Sequence, residues 1–115
     1  MRLPLRSVSR RRTPDDAIFQ AVWNGTVLAE SAGTVAVDGR RYFPPEDVRW
    51  QFLRPNDEES VCLWKGRAGY YDAEVAGRRG RSLAWTYPHP SPAAAQLEGR
   101  VAFTRAVKVR PVRDA

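Results

Sequence analysis

The stretch IFQAVW-NG-TVLAES, residues 18–31, decides the fold. Two runs rich in β-branched and aromatic residues flank Asn24-Gly25, a pair suited to a two-residue hairpin turn because both turn positions require positive φ. Residues 34–37 and 40–43 repeat the arrangement around Asp38-Gly39. Two consecutive hairpins predict a mainly β protein built from antiparallel sheets.

The remainder of the chain continues with strands and turns. Pro44-Pro45 must interrupt a strand, and the acidic pair behind it predicts a helical turn near residues 45–48. Ser91 as N-cap, Pro92 as first helical residue and Gly99 after the end predict one short helix near residues 92–98. A turn is predicted over 55–57. Further strands are predicted over 50–53, 61–64, 68–75, 83–87, 101–103 and 107–109.

Length and charge define the domain organisation. A chain of 115 residues forms one domain. Residues 1–13 carry five arginines and no acid, which predicts a disordered basic arm, followed by a single β domain over 14–110 and a tail over 111–115. The net charge of +6 comes from residues 1–13 and 105–115, which sum to +5 and +3, since residues 14–104 sum to −2. The folded part is therefore not expected to bind nucleic acid.

The residue content also argues against several classes of protein, namely disulfide-bonded, metal-binding, membrane-spanning and secreted ones. One cysteine and one histidine provide neither an internal disulfide nor an ordinary four-ligand metal site, so no metal and no cofactor are predicted. No apolar run is long enough for a membrane span, and the start lacks the apolar region of a signal peptide, so a cytoplasmic location is expected. Arginine outnumbers lysine 17 to 2, a bias that suggests a bacterial source.

The stretch 62–71, CLWKGRAGYY, concentrates the chemistry of the chain. Glycine at Gly66 permits unusual backbone, and Lys65 can hold an anionic group. Strand aromatics are usually core, but four tryptophans exceed what a small sheet requires, so some could line a cleft. The alternative is a turn glycine beside a solvated lysine.

Two arrangements suggest enzymatic alternatives. Cys62 could act as a nucleophile if a nearby cation lowers its pKa and His89 approaches as a base; otherwise it is a small buried residue. Glu46 and Asp47 could perform acid–base chemistry, could begin a helix, or could supply an ion-pair partner for Lys65.

Four ordered motifs carry a family resemblance. They are Ala21-Val22-Trp23-Asn24-Gly25, Tyr42-Phe43-Pro44-Pro45-Glu46-Asp47-Val48, Cys62-x-x-Lys65-Gly66-x-Ala68-x-Tyr70-Tyr71 and Ala84-Trp85-x-Tyr87-Pro88-x-Pro90. Together they resemble the bacterial domain of unknown function 427 family over residues 18–109, with Leu63 standing where that family often has proline. The resemblance implies a small twisted antiparallel sheet assembly of the β-tent type. It implies no established reaction, and the Gly-Ser and paired aspartates of a nucleotidyltransferase are lacking here.

The sequence favours a small-ligand-binding β domain with an aromatic cleft around a lysine. The predicted cleft residues are Trp64, Lys65, Tyr70, Trp85 and Tyr87, with Tyr42, Glu46 and Asp47 at the rim. A small enzyme that uses Cys62 or the acidic pair is the first alternative. A protein or nucleic-acid interaction module that acts through the basic tails is the second, and the oligomeric state is left open.

Overall fold

The computed structural model describes residues 17–112. The predicted arm over residues 1–13 and the end of the predicted tail, residues 113–115, lie outside this part. Nine strands are described: β1 (Phe19–Trp23), β2 (Thr26–Ser31), β3 (Val35–Val37), β4 (Arg40–Tyr42), β5 (Leu53–Cys62), β6 (Gly66–Val75), β7 (Arg78–Thr86), β8 (Val101–Phe103) and β9 (Lys108–Pro111). They form antiparallel sheets of order β2-β1-β9, β3-β4 and β5-β6-β7-β8.

Both predicted hairpins are confirmed. Asn24 and Gly25 have φ values of 52° and 72°, and Asp38 and Gly39 have 52° and 79°. Each pair thus occupies the left-handed region at both turn positions, as the two-residue loops require. The first hairpin joins β1 to β2 and the second joins β3 to β4.

Helical structure is limited to short 3-10 segments in the described part of the chain. Pro45–Asp47 confirms the predicted helical turn, and Pro92–Leu97 occupies the place of the predicted short helix. The latter is interrupted at Ala94, whose φ of −115° is not helical. Over residues 17–112, no helix has the length and apolar character needed to cross a bilayer.

Several local predictions differ from the structure. The turn predicted over 55–57 is not formed, because these residues lie inside β5. The pairing of β5 with β6 shifts register between Pro55 and Glu59, so the strand continues past the proline with an irregularity. Residues 50–52 form a 3-10 turn, so the predicted strand begins only at Leu53. Ser91 makes no cap hydrogen bond, because its hydroxyl donates to the carbonyl of Trp64. Pro111, the first residue of the predicted tail, is the last residue of β9.

Apolar side chains pack in two clusters. The first holds Trp23, Leu28, Phe43 and Phe103, among others, and the second is formed around Tyr42, Tyr87 and Leu97. The following residues belong to the second cluster or pack against it: Val35, Val37, Tyr42, Cys62, Ala68, Tyr70, Trp85, Tyr87, Ala94, Leu97 and Ala102. Of the predicted cleft aromatics, Tyr42 and Tyr87 belong to the second cluster, and Tyr70 and Trp85 pack against it.

An irregularity in β7 distributes its side chains between the two clusters. Tyr71 pairs with Ala84, whereas Ala73 pairs with Gly80, so β7 carries two extra residues across this step. Ser82 within it has a φ of 54°. The simple alternation of the strand is therefore broken, and Leu83 packs in the first cluster while Trp85 lies against the second.

Candidate functional site

Lys65 is the centre of the candidate site. It ends the short connection between β5 and β6, yet it is only 7% exposed. Its Nζ lies 2.9 Å from Oδ2 of Asp38, whose side chain is 59% exposed at the tip of the β3–β4 hairpin. The Lys65 side chain is thus buried, whereas the Asp38 side chain that balances its charge remains in contact with solvent.

Three aromatic rings surround the same ammonium group. Nζ lies 5.4 Å from the ring centroid of Trp64, 5.9 Å from that of Tyr42 and 6.0 Å from that of Tyr87. These distances are within the range at which a ring quadrupole attracts a cation. Trp64 is itself 44% exposed, so one wall of this arrangement is open to solvent.

The corner that carries Lys65 is held by the loop before the third 3-10 segment. The backbone N–H of Ser91 donates to the carbonyl of Lys65 at 2.9 Å, and the Ser91 hydroxyl donates to that of Trp64. Gly66 follows with φ of 116°, and a methyl group there would meet the His89 carbonyl oxygen at 3.4 Å. Glycine at this position therefore allows the loop to pack closely behind the lysine.

The aromatic wall continues away from Lys65. Trp85 Nε1 donates to the Tyr42 hydroxyl at 3.4 Å, and the Trp85 ring centroid lies 6.3 Å from that of Tyr70. The Tyr70 hydroxyl shares a 2.9 Å hydrogen bond with Ser60, and the Arg40 guanidinium lies 5.8 Å from the Trp85 centroid. A second cation therefore faces the same group of rings.

The electrostatics keep Lys65 protonated. Burial by itself lowers the pKa of Lys65, but the hydrogen bond to Asp38 and the charges of Tyr42, Asp38 and Tyr87 outweigh it and raise the pKa above its ordinary value. Burial also raises the pKa of Tyr87, against the opposing effect of Lys65. At neutral pH the site thus presents the Lys65 ammonium ion and the neutral phenol of Tyr87.

Comparison with known families gives one match. The model of the family described as Domain of unknown function (DUF427) matches residues 11–114. The chain belongs to this family. No curated protein matches the chain. The resemblance read from the four motifs is therefore confirmed, and the description of the DUF427 family assigns no reaction to it.

This DUF427 domain brings six of the eight predicted site residues together. Contacts join Trp64, Lys65, Tyr42 and Tyr87 directly, and Trp85 and Tyr70 extend the wall. Glu46 and Asp47 lie on the Pro45–Asp47 turn, where Glu46 is exposed and Asp47 accepts a 2.6 Å hydrogen bond from Ser31. The ion-pair partner of Lys65 is Asp38 and neither member of the acidic pair. Their position at the rim stays a prediction.

The reactive-thiol hypothesis gains no geometric support from the described residues. Cys62 is half-buried at the end of β5 and packs against the second cluster. His89 is exposed, and no hydrogen bond within residues 17–112 joins it to the thiol. The same residues contain no group of three or more His, Cys, Asp or Glu side chains that could hold a metal ion.

Sequence reasoning missed two members of the DUF427 site, Asp38 and Arg40. The sequence predicts Asp38-Gly39 only as a turn and Arg40 only as a strand residue. The hairpin signal fixes where the turn forms but not which distant residue it contacts. The excess negative charge of residues 14–104 gave no indication of which carboxylate would reach Lys65.

Proposed function

We propose that this domain binds a small planar anion at Lys65. The anionic group of the ligand would take the place of the Asp38 carboxylate, and its planar part would stack on the exposed face of Trp64. The supporting observation is that the Lys65 side chain is buried and its Nζ lies near three aromatic rings, while the side chain of its partner Asp38 is 59% exposed on a two-residue turn.

Charge favours this role over amine chemistry. The raised pKa of Lys65 leaves a cation at neutral pH, and a protonated amine is not a nucleophile. Burial of a charged side chain costs free energy that an apolar residue of similar size would avoid. A buried lysine whose carboxylate partner remains exposed can accept a ligand that replaces that carboxylate, which supports ligand binding at this position.

Asp38 acts as an internal competitor in this proposal. Replacing it with asparagine keeps a residue that tolerates positive φ, so the turn is preserved while the carboxylate is lost. We expect Asp38→Asn to bind a planar anion about fivefold more tightly, which corresponds to about 1 kcal/mol for an ion pair with one exposed partner. Lys65→Met should abolish binding.

The test uses nicotinate and nicotinamide, which share a shape and differ in charge. The full chain is titrated with each while the Trp64 indole N–H signal is followed by NMR. Saturable shifts with nicotinate, weaker shifts with nicotinamide and tighter binding by Asp38→Asn are expected. If Lys65→Met binds nicotinate as well as the parent chain, or Asp38→Asn binds it no more tightly, the proposed site is wrong.

A further inference from the structure

A cavity of about 310 Å³ lies where the three sheets meet, and Arg40, which faces Trp85 in the site around Lys65, is also in its lining. Its lining includes Phe19 of β1, Arg41 of β4 and Val109 of β9, together with residues of the connection between β8 and β9. The volume is at the lower end of about 300–1,000 Å³ typical of ligand pockets. It corresponds to about ten water-sized groups at about 30 Å³ each.

The cavity combines an apolar floor with positive charge. Phe103 and Val107 are buried members of the first cluster, and Phe19 packs against it. Three arginines, Arg40, Arg41 and Arg105, are among the nine lining residues, and none of the nine is acidic. Within residues 17–112, no carboxylate forms an ion pair with any of the three.

Arg41 is held by two side-chain contacts, whereas Arg105 lies on a hydrogen-bonded turn. Side chains alternate along β4, so Arg40 faces Trp85 while Arg41 faces Phe19, with its guanidinium 4.1 Å from that ring centroid. Arg41 also donates to the Thr34 hydroxyl at 3.3 Å. Arg105 is exposed on a turn closed by a 3.0 Å hydrogen bond from the Val107 N–H to the Thr104 carbonyl.

We propose that this cavity is a second binding site, for a small amphiphilic carboxylate of about ten non-hydrogen atoms in all. The apolar body would lie on Phe103 and Val107, and the carboxylate would accept hydrogen bonds from Arg41 and Arg105. Guanidinium groups match carboxylates through paired N–H donors, and Arg41 spends one donor on Thr34 while keeping the others. The charge therefore selects an anion, and the floor selects one with an apolar chain.

Octanoate is the probe for this site, because it has ten non-hydrogen atoms and a terminal carboxylate. The full chain is titrated with octanoate, with the neutral octanamide and with acetate, which lacks the apolar body. Calorimetry measures affinity, and amide NMR signals of residues 104–107 report the place of binding. Saturable binding of octanoate alone, with shifts in this turn, is the expected result.

Arginine substitutions provide the decisive comparison. We expect Arg41→Gln to weaken octanoate binding about 10- to 100-fold, as for loss of a charge-assisted hydrogen bond, and the exposed Arg105→Gln about 3- to 10-fold. Arg81→Gln is the matched control, since Arg81 is exposed and absent from the lining. It removes the same charge and should leave the affinity within about twofold.

Several outcomes would overturn the proposal. Equal binding of octanamide would show an apolar cavity without anion selectivity, and equal binding of acetate would show only surface attraction of anions. Equal effects of Arg105→Gln and Arg81→Gln would also overturn it, even if Arg41→Gln were poorly folded. Lys65→Met should bind octanoate normally, so failure of this site and failure of the Lys65 site are distinguishable.

Discussion

Lys65 and Asp38 form an ion pair whose two halves should respond unequally to substitution. Asp38→Asn leaves a buried ammonium group without its carboxylate, whereas Lys65→Met removes the buried charge and keeps an apolar chain against the rings. Breaking a buried pair from one side is costly, but replacing the charge by a well-packed apolar group is often neutral. We therefore expect Asp38→Asn to destabilise the domain and Lys65→Met to change its stability little.

The magnitude follows from the 2.9 Å separation of the two charges. The attraction is about 1.4 kcal/mol at a dielectric constant of about 80 and about 6 kcal/mol at about 20. Because Asp38 is 59% exposed, the solvent-screened value is the better guide. We expect Asp38→Asn to lower the free energy of unfolding by about 1–2 kcal/mol, and Lys65→Met to change it by less than about 1 kcal/mol.

Urea denaturation followed by circular dichroism would measure the four members of the double-mutant cycle. In the Lys65→Met background, Asp38→Asn should cost almost no unfolding free energy, because the charge that Asp38 compensated is gone.

The stability from this ion pair should also depend on pH. Folding raises the pKa of Lys65 above 10.5, so the pair contributes its full stabilisation below pH 10.5 and loses it as the pH rises through the folded-state pKa.

An equal or larger loss from Lys65→Met would refute this reasoning. It would mean that Lys65 contributes to stability and needs no ligand to explain its burial. A coupling free energy below about 0.3 kcal/mol would equally remove Asp38 as the internal competitor. The predicted difference in stability between Asp38→Asn and Lys65→Met can thus be measured without a ligand, and observing it would support the binding proposal independently.

Two further predictions concern the irregular part of β7. A methyl group at Gly80 would lie 2.4 Å from Cδ1 of Leu83, so Gly80→Ala should cost about 1–3 kcal/mol of unfolding free energy in urea. Gly69→Ala, with no heavy atom within 4 Å, should change it by less than about 1 kcal/mol, and equal effects would contradict the packing argument. The hydrogen bond from the Ser82 N–H lowers the pKa of buried Asp72 below 3.8. The Asp72 carboxylate therefore stabilises the fold above pH 3.8, and this stabilisation is lost as the pH falls through the folded-state pKa. Asp72→Asn should therefore cost about 2 kcal/mol at pH 7 and much less in acid, and a pH-independent cost in urea would contradict this.

The hairpins were predictable because their signals are local. Asn24-Gly25 and Asp38-Gly39 prescribe their own backbone, whatever the remainder of the chain does. The turn predicted over 55–57 failed because distant residues determine that backbone. Asn56 donates to the Asp72 carboxylate at 2.6 Å and to the Ser82 hydroxyl at 2.9 Å, which connects β5, β6 and β7 across their irregularities.

The sequence predicts most of the residues that form the candidate site, but it does not predict which carboxylate pairs with Lys65. Trp64 and Lys65 are neighbours in the chain, and Trp85 and Tyr87 both fall in the strand predicted over 83–87. Asp38 reaches the lysine only because the β3–β4 hairpin packs against that corner, which no spacing in the sequence encodes. The arginine-lined cavity is still less accessible to sequence reasoning, since Arg41 and Arg105 belong to segments far apart in the chain.

The β3–β4 hairpin supplies both proposed sites with opposite electrostatic conditions. At its tip Asp38 neutralises Lys65, so an incoming anion must replace a carboxylate that is already in place. On β4 Arg41 has no ion-pair partner within residues 17–112, so an anion there meets uncompensated charge. The first site therefore discriminates by competition and favours a ligand with additional stacking on Trp64. The second discriminates by its apolar floor, because charge alone would attract any small anion.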